Sequence, residues 1–365
     1  MSDRRALTIA VTGLNATDNP GPGVGVLRSL RAASPAGERL VGLSYDALDP
    51  GVYAAGLADD IFLLSYPSSG TDAYLSRLRY IQEQVRLDVI IPTLDAELPA
   101  LIALEPELRR LGISVFLPSR EQFDMRGKTN LPALGRRAGV PVPASAVIST
   151  ADELARAHEK VPYPFFVKGP FYGATLASNL DQARAAYHHA VAAWGGPIIV
   201  QAMVRGEETN LVGIGDGAGG LLGAVAMKKL AVTEKGKGWA GITVRDPELA
   251  AAAERLVAAT RWRGPFEVET LRDESGRHHL IEINPRFPAW VHLATSAGVN
   301  LPRAVVDLAL ARHPPAPGSC QPGKLFVRIS WDQIVDLRDF ERMVTGGEIR
   351  RKERTVDGLP RPRAD

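Results

Sequence analysis

The chain has 365 residues, 45% of them hydrophobic, enough for two or three packed domains. Its 43 Lys and Arg stand against 41 Asp and Glu, and a formal net charge of +2 argues against broad electrostatic binding to nucleic acid or anionic membranes. The single cysteine, Cys320, excludes intrachain disulfides and fits a reducing compartment.

The opening "MSDRRALTIAVTG" carries an apolar run too short for a signal-peptide core, and it reads as a first strand. No stretch approaches the ~18 uninterrupted apolar residues of a membrane span. The expectation is a cytoplasmic protein. From residue 7 to about 115, strands ("LTIAVTG", "RLVGLSY", "DVIIPT", "ISVFLPS") alternate with helices ("VGVLRSLRAA", "TDAYLSRLRYIQEQVRL", "ELPALIALEPELRRLG"). Such alternation predicts an open, mostly parallel α/β sheet. After the loop-rich "PSREQFDMRGKTN", residues 121–205 hold a helix to about 138, a helix near 152–160, the strand "FFVKG", a helix near 180–193 and the strand "IIVQAMV". From 208 to about 290 strands dominate: "TNLVGIGD", "LLGAVAMKKL", "FEVETLRD" and "RHHLIEINPR". One helix, "DPELAAAAERLVAAT", interrupts them, with Asp246 as N-cap and Pro247 at its first position. A helix at 301–312, a Pro-rich link, the strand "KLFVRISW" and a basic tail at 351–365 complete the chain.

The stretch "LIEINPRF" carries the chemistry. Alternation places Glu282, Asn284 and Arg286 on one strand face, with Ile281 and Ile283 on the other. In "GPFEVET", Glu267 and Glu269 share a face, and the turn "RDESGR" makes that strand a hairpin neighbour. Two carboxylates and an amide oxygen on adjacent strands suit Mg²⁺. An arginine beside them suits bidentate binding of phosphate or carboxylate.

"FEVETLRDESGRHHLIEINPRF" resembles the metal-binding hairpin of the ATP-grasp superfamily, the fold of biotin carboxylase, carbamoyl phosphate synthetase and D-alanine–D-alanine ligase. The resemblance spans nearly the whole chain. It implies a Rossmann-like pre-ATP-grasp domain (1–120), then a two-subdomain ATP-grasp fold, with a small lid at 121–205 and a carboxy-terminal part at 206–350. Nucleotide would lie between the last two. By motif position Glu269, Glu282 and Asn284 match the metal ligands, and Arg286 matches the arginine near the γ-phosphate and acyl group. Mg²⁺ is the implied ion, with Mn²⁺ as substitute.

The same resemblance extends to the nucleotide. Lys128 lies eleven residues before Gly139 of "AGVPVP", the family spacing of the first phosphate lysine. Lys168 ends the apolar run "YPFFVKG", where a cation calls for an anionic partner. "GPFYGAT" resembles the loop that covers the phosphates. In "IIVQAMVRGEET", Gln201 matches the position contacting the adenine amino group, the main chain at Ala202 and Met203 would pair with the ring, and Glu208 sits where relatives bind ribose. Alternation in "AMKKL" turns one of Lys228 and Lys229 toward the phosphates, with Lys228 preferred.

Other signals read more plainly. "NPGPGVGVLRSL" lacks the spacing of a dinucleotide fingerprint and reads as a tight loop beside the substrate site or as an ordinary loop. Thr93 and Asp95 read as helix caps, with Glu97 compensating the helix dipole. His188–His189 and His278–His279 are adjacent pairs, which do not converge on a metal, and read as surface residues.

The implied chemistry is ATP-dependent ligation of a carboxylate to an amine through an acylphosphate, releasing ADP and phosphate, with amino acids or peptides as substrates. Trp290 would form an apolar wall of the acyl site. Arg328 in "GKLFVRIS" resembles an arginine near the bicarbonate site of biotin-dependent carboxylases, the first alternative. Against that alternative, relatives that activate bicarbonate carry an acid where Trp290 stands. The second alternative is a non-catalytic nucleotide-binding regulator.

Overall fold

The computed structural model describes residues 6–16, 19–33, 37–169, 173–316, 318–330 and 332–350. The first unit is built from β1 (Thr8–Val11), α1 (Pro22–Ala33), β2 (Arg39–Ser44), β3 (Asp60–Leu63), α2 (Thr71–Val85), β4 (Val89–Ile91) and α3 (Leu98–Arg110). The four strands pair in parallel in the order β3-β2-β1-β4. Alternate residues feed two cores. Ala10, Val41, Leu43 and Phe62 pack on α2 and α3, whereas Ile9, Val11, Leu40 and Ile61 pack on α1. Burial on both faces explains why these strands read as continuous apolar runs. The strand at 60–63 was hidden by the acids before it. "ISVFLPS" forms only an isolated parallel bridge, Val89 with Ser114. Beyond it, the carbonyls of Val115 and Leu117 accept from Arg263 rather than from a strand.

The chain continues through α4 (Arg120–Met125), opened by a Ser119–Gln122 capping box, and α5 (Leu131–Ala138), ended by Gly139 at φ 64°. It then forms β5 (Ser145–Ile148), α6 (Ala151–Arg156), β6 (Phe165–Lys168), β7 (Ala174–Ala177), α7 (Leu180–Trp194) and β8 (Ile198–Ala202). These strands make an antiparallel sheet, β5-β8-β6-β7, with its own core of Leu154, Phe165, Val167, Tyr187, Ile198 and Val200.

The third unit comprises β9 (Glu207–Asp216), β10 (Leu221–Val232), β11 (Gly238–Val244), α8 (Pro247–Thr260), β12 (Arg263–Arg272), β13 (His278–Asn284), α9 (Val291–Ser296), α10 (Leu301–Ala309), β14 (Leu325–Val327), α11 (Leu337–Gly346) and β15 (Glu348–Ile349). Six strands form an antiparallel sheet ordered β13-β12-β9-β10-β11-β14. Asp246 caps α8 by accepting from Leu249 N. His278, read from sequence as exposed, is instead buried between Asp246 and Thr270.

Two divisions differ from the sequence expectation. Leu131, Leu134 and Ala138 of α5 pack with Leu249, Leu256 and Val257 of α8 on the back of the six-stranded sheet, so this helix is not part of the small subdomain. At the other end β15 leaves the third unit and pairs antiparallel with β3, Glu348 opposite Phe62. The basic tail lies outside the described residues.

Candidate functional site

Register assembles the site. β12 and β13 pair Glu267 with Asn284 and Glu269 with Glu282, and β12 and β9 pair Glu269 with Asn210. A bulge between Glu269 and Thr270 leaves Ile281 as an extra residue on β13. Leu280 and Ile283 therefore both reach the core behind the sheet, while Glu282 and Asn284 share the front.

Glu267 is the buried anchor of this face. Asn210 Nδ2 and Trp290 Nε1 donate to its Oε1 at 2.8 and 2.7 Å, and Asn284 Nδ2 donates to its Oε2 at 3.0 Å. Burial, then the neighbouring Glu269, raises its pKa to about 7. Asn284 Nδ2 also donates to Glu269 at 2.9 Å, so the amide links both acids. Trp290 is buried in the core with its N–H committed to Glu267.

Cations surround the front carboxylates. Lys128 Nζ lies 3.5 Å from Glu282 Oε1. Lys229 Nζ sits 2.7 Å from Glu208 Oε2 and 3.2 Å from Glu269 Oε2. Burial works against the charge of Lys229, yet Glu269 and Glu208 outweigh it and raise its pKa. Lys228, the lysine preferred from sequence, instead pairs at 2.6 Å with Glu207, so Lys229 is the one of the two beside Glu269. Lys168 Nζ donates to Gln201 Oε1 at 2.5 Å. Burial, then repulsion from Lys128, lowers its pKa to about 8, against a smaller pull from Glu282. Lys128, Lys168 and Glu282 therefore meet although they come from three parts of the chain.

Arg286 follows the end of β13. Its Nε donates to Asp95 Oδ2 at 2.9 Å, Nη1 to Phe287 O at 3.2 Å and Nη2 to Asn284 Oδ1 at 3.4 Å. Asp95 is consequently an ion-pair partner, also 3.5 Å from Arg126, rather than a helix cap. Glu97, wholly buried, holds the loop by accepting from Thr93 N, Leu94 N, Thr12 Oγ1 and Tyr45 Oη. Asp95 lies just past the carboxyl end of β4, where open α/β sheets present binding residues, and that position was the available signal.

The hinge residues are placed unevenly. Ala202 donates its amide to Ala144 O, so that N–H is already used, and Met203 is half-buried just past the end of β8. Gln201 is buried beside Lys168. Glu208 faces Lys229. Arg328 lies at the other side of the sheet, after β14, with Nε 3.1 Å from Gly238 O. Of "GPFYGAT", residues 170–172 lie outside the described residues.

The donor set fits a hard divalent cation in part. Glu269 and Glu282 oppose each other with lysine counter-charges, whereas the Asn284 amide turns its NH₂ toward Glu267 and Glu269 and its oxygen toward Arg286. Among the described residues, no three His, Cys, Asp or Glu converge as a metal site of their own.

Residues 196–331, which contain this hairpin and its facing strands, match a family described as ATP-grasp in the biosynthetic pathway with Ter operon. Over that segment the chain is similar to ATP-grasp proteins. It is 27% identical over 283 residues to a phosphoribosylamine–glycine ligase of Brucella melitensis, covering 70% of this chain and 63% of the relative. It is 30% identical over 255 residues to a formate-dependent phosphoribosylglycinamide formyltransferase of Ignicoccus hospitalis, covering 64% of this chain and 61% of the relative. The chain thus spans less than two thirds of the length of either relative. Biotin carboxylase of Campylobacter jejuni shares the fold with a TM-score of 0.66 at 18% identity, covering 84% of this chain and 72% of that one. No described helix is long and apolar enough to cross a membrane.

Proposed function

We propose that the chain is an ATP-dependent carboxylate–amine ligase that forms an amide bond through an acylphosphate and releases ADP and phosphate. The observation that carries this reading is the opposed Glu269–Glu282 pair ringed by Lys128, Lys168, Lys229 and Arg286. Phosphoryl transfer asks chiefly for alignment and charge neutralisation, and these groups supply both. The substrates are small molecules, with amino acids or peptides as the class; the relative named as a phosphoribosylamine–glycine ligase supports joining an amine to an amino acid. The single cysteine supports a cytoplasmic setting.

Glu269 and Glu282, with Asn284 beside them, would hold Mg²⁺ or Mn²⁺. Bound there, the ion supplies charge stabilisation across the nucleotide phosphates. The lysines now paired with these acids become counter-ions for phosphate oxygens. Lys168 approaches from β6 of the small subdomain, Lys128 from the segment before α5 and Lys229 from β10. Gln201, Ala202, Met203 and Glu208 form the adenosine end. Arg286, fixed by Asp95, aligns the acyl carboxylate toward the terminal phosphate. Trp290, standing where carboxylating relatives carry an acid, is engaged with Glu267 and leaves the carboxylase alternative without a base at that position.

The test is ATP turnover of the full chain with Mg²⁺ and pooled acids, hydroxylamine serving as amine. A hydroxamate formed together with ADP, only when a competent acid is present, supports the reading. AMP and pyrophosphate would overturn it.

A further inference from the structure

Asp95 carries an arginine on each carboxylate oxygen. Arg286 Nε donates to Oδ2 at 2.9 Å, and Arg126 Nη2 stands 3.5 Å from Oδ1. The loop that presents Asp95 is fixed from within the first unit, where buried Glu97 accepts from Thr93 N and Leu94 N at 2.8 and 2.9 Å. Arg126 directly follows α4. Phe123, one turn back, packs against the first unit's core and lies 4.3 Å from the Arg126 guanidinium. The plane of that guanidinium is therefore set by an anchored ring.

The two arginines are held differently. Arg286 also gives Nη1 to Phe287 O and Nη2 to Asn284 Oδ1, so three of the five N–H groups of its fork serve protein acceptors. Burial works against its charge, and Asp95, Glu267 and Glu269 outweigh it. Arg126 meets Asp95 at a distance long for a charge-assisted hydrogen bond, and one carboxylate does not neutralise two guanidiniums. Contacts also order the cations along the site. Arg126 and Arg286 meet at Asp95; Lys128, two residues after Arg126, lies 3.5 Å from Glu282; Lys168 feels Lys128 and binds Gln201. The row runs from the first unit, past the opposed carboxylates, to the strand assigned to adenosine, with Arg126 at the end remote from the base. The Arg126, Asp95 and Arg286 side chains are 20%, 24% and 18% exposed, so a ligand can reach them.

We infer that Arg126 binds the carboxylate that is phosphorylated, as a second arginine beside Arg286, with Asp95 as the positioning residue that spaces the two guanidiniums. The assignment rests on the ligase reading. An oxygen of the bound carboxylate forms the new bond to the terminal phosphorus as the bond from that phosphorus to ADP breaks. Two guanidiniums on one carboxylate restrain its rotation while Lys128 and the opposed acids face the phosphates, which is the alignment that transfer requires.

The test is calorimetric titration of the full chain, loaded with Mg²⁺ and a non-hydrolysable ATP analogue, with acetate and with each of the common amino acids. At least one of these carboxylates should bind saturably to the parent. Arg126→Gln should weaken that binding about tenfold or more while affinity for the ATP analogue changes by less than about twofold. Arg126→Lys, which keeps the charge and loses the fork, should recover part of the carboxylate affinity. No saturable carboxylate binding would overturn the proposal, as would binding that Arg126→Gln leaves at the parental strength. An equal loss of ATP-analogue affinity in Arg126→Gln and Arg126→Lys would also overturn it, because the arginine would then serve the nucleotide phosphates. Arg126-dependent carboxylate binding in a chain that forms neither ADP nor, with hydroxylamine, a hydroxamate would keep the carboxylate subsite and reject the ligase reading.

Discussion

Arg286 and Asp95 form a 2.9 Å ion pair that ties the end of β13 to the loop after β4. Asp95 thus fixes from the first unit the arginine whose backbone belongs to the third. Arg286 in turn holds Asn284 Oδ1, so the link runs on to Glu267 and Glu269. Removing the acid leaves a largely buried guanidinium short of a partner. Asp95→Ala should lower stability by ~1.5–3 kcal/mol in urea unfolding. Asp95→Asn, which keeps one acceptor, should cost less. Equal stability of both variants and the parent would show that the pair does not hold the two units together.

Glu282→Gln should fold like the parent and lose most turnover. The swap keeps size and removes the charge that faces Glu269 and Lys128. Activity measured at limiting Mg²⁺ checks it; near-parental rates would remove Glu282 from the metal set.

Lys229 and Lys228 separate cleanly by face. Lys229→Met should reduce ATP affinity and turnover about tenfold or more, since it removes the buried cation at Glu269. Lys228→Met, on the outer face with Glu207, should change either by less than about twofold, its exposed ion pair contributing little. A larger effect from Lys228 would restore the sequence preference.

Lys168 should make nucleotide binding pH-dependent. Its folded pKa of about 8 lies below the ordinary 10.5, so the folded chain releases this proton before the unfolded chain does. Between those values the unfolded state binds more protons, and the contribution of Lys168 to stability rises with pH. Phosphate needs the charged form, so ATP affinity should fall as pH rises through about 8 in the parent. Lys168→Arg should flatten that fall, and Lys168→Ala should bind weakly at every pH. Parallel profiles for parent and Lys168→Arg would assign the pH dependence elsewhere.

The sequence indicated which residues share a strand face where alternation was unbroken. Glu267, Glu269, Glu282 and Asn284 share a face as their spacing indicated, and the bulge at Ile281 changes only which apolar residues lie behind them. Contacts made across the chain were hidden. Nothing local tells Asp95 that its partner is Arg286, or tells α5 that it packs on α8. Lys228 and Lys229 illustrate the limit of alternation: it separates two faces but does not say which one is inward, and that is settled by the pairing of β10 with β9 and the acids Glu207 and Glu208. β3 and β15 were missed because short strands at the side of a sheet depend on neighbours for their pairing.

The most direct measurement follows oxygen from the acid to the product. With a competent acid whose carboxylate is enriched in heavy oxygen, full turnover by the chain should place one labelled atom in inorganic phosphate, alongside unlabelled ADP. That transfer requires the carboxylate to attack the terminal phosphate, where Lys128, Lys168, Lys229 and Arg286 gather around Glu269 and Glu282. Label in AMP with release of pyrophosphate would mean attack at the innermost phosphate, and would contradict the proposed acylphosphate route.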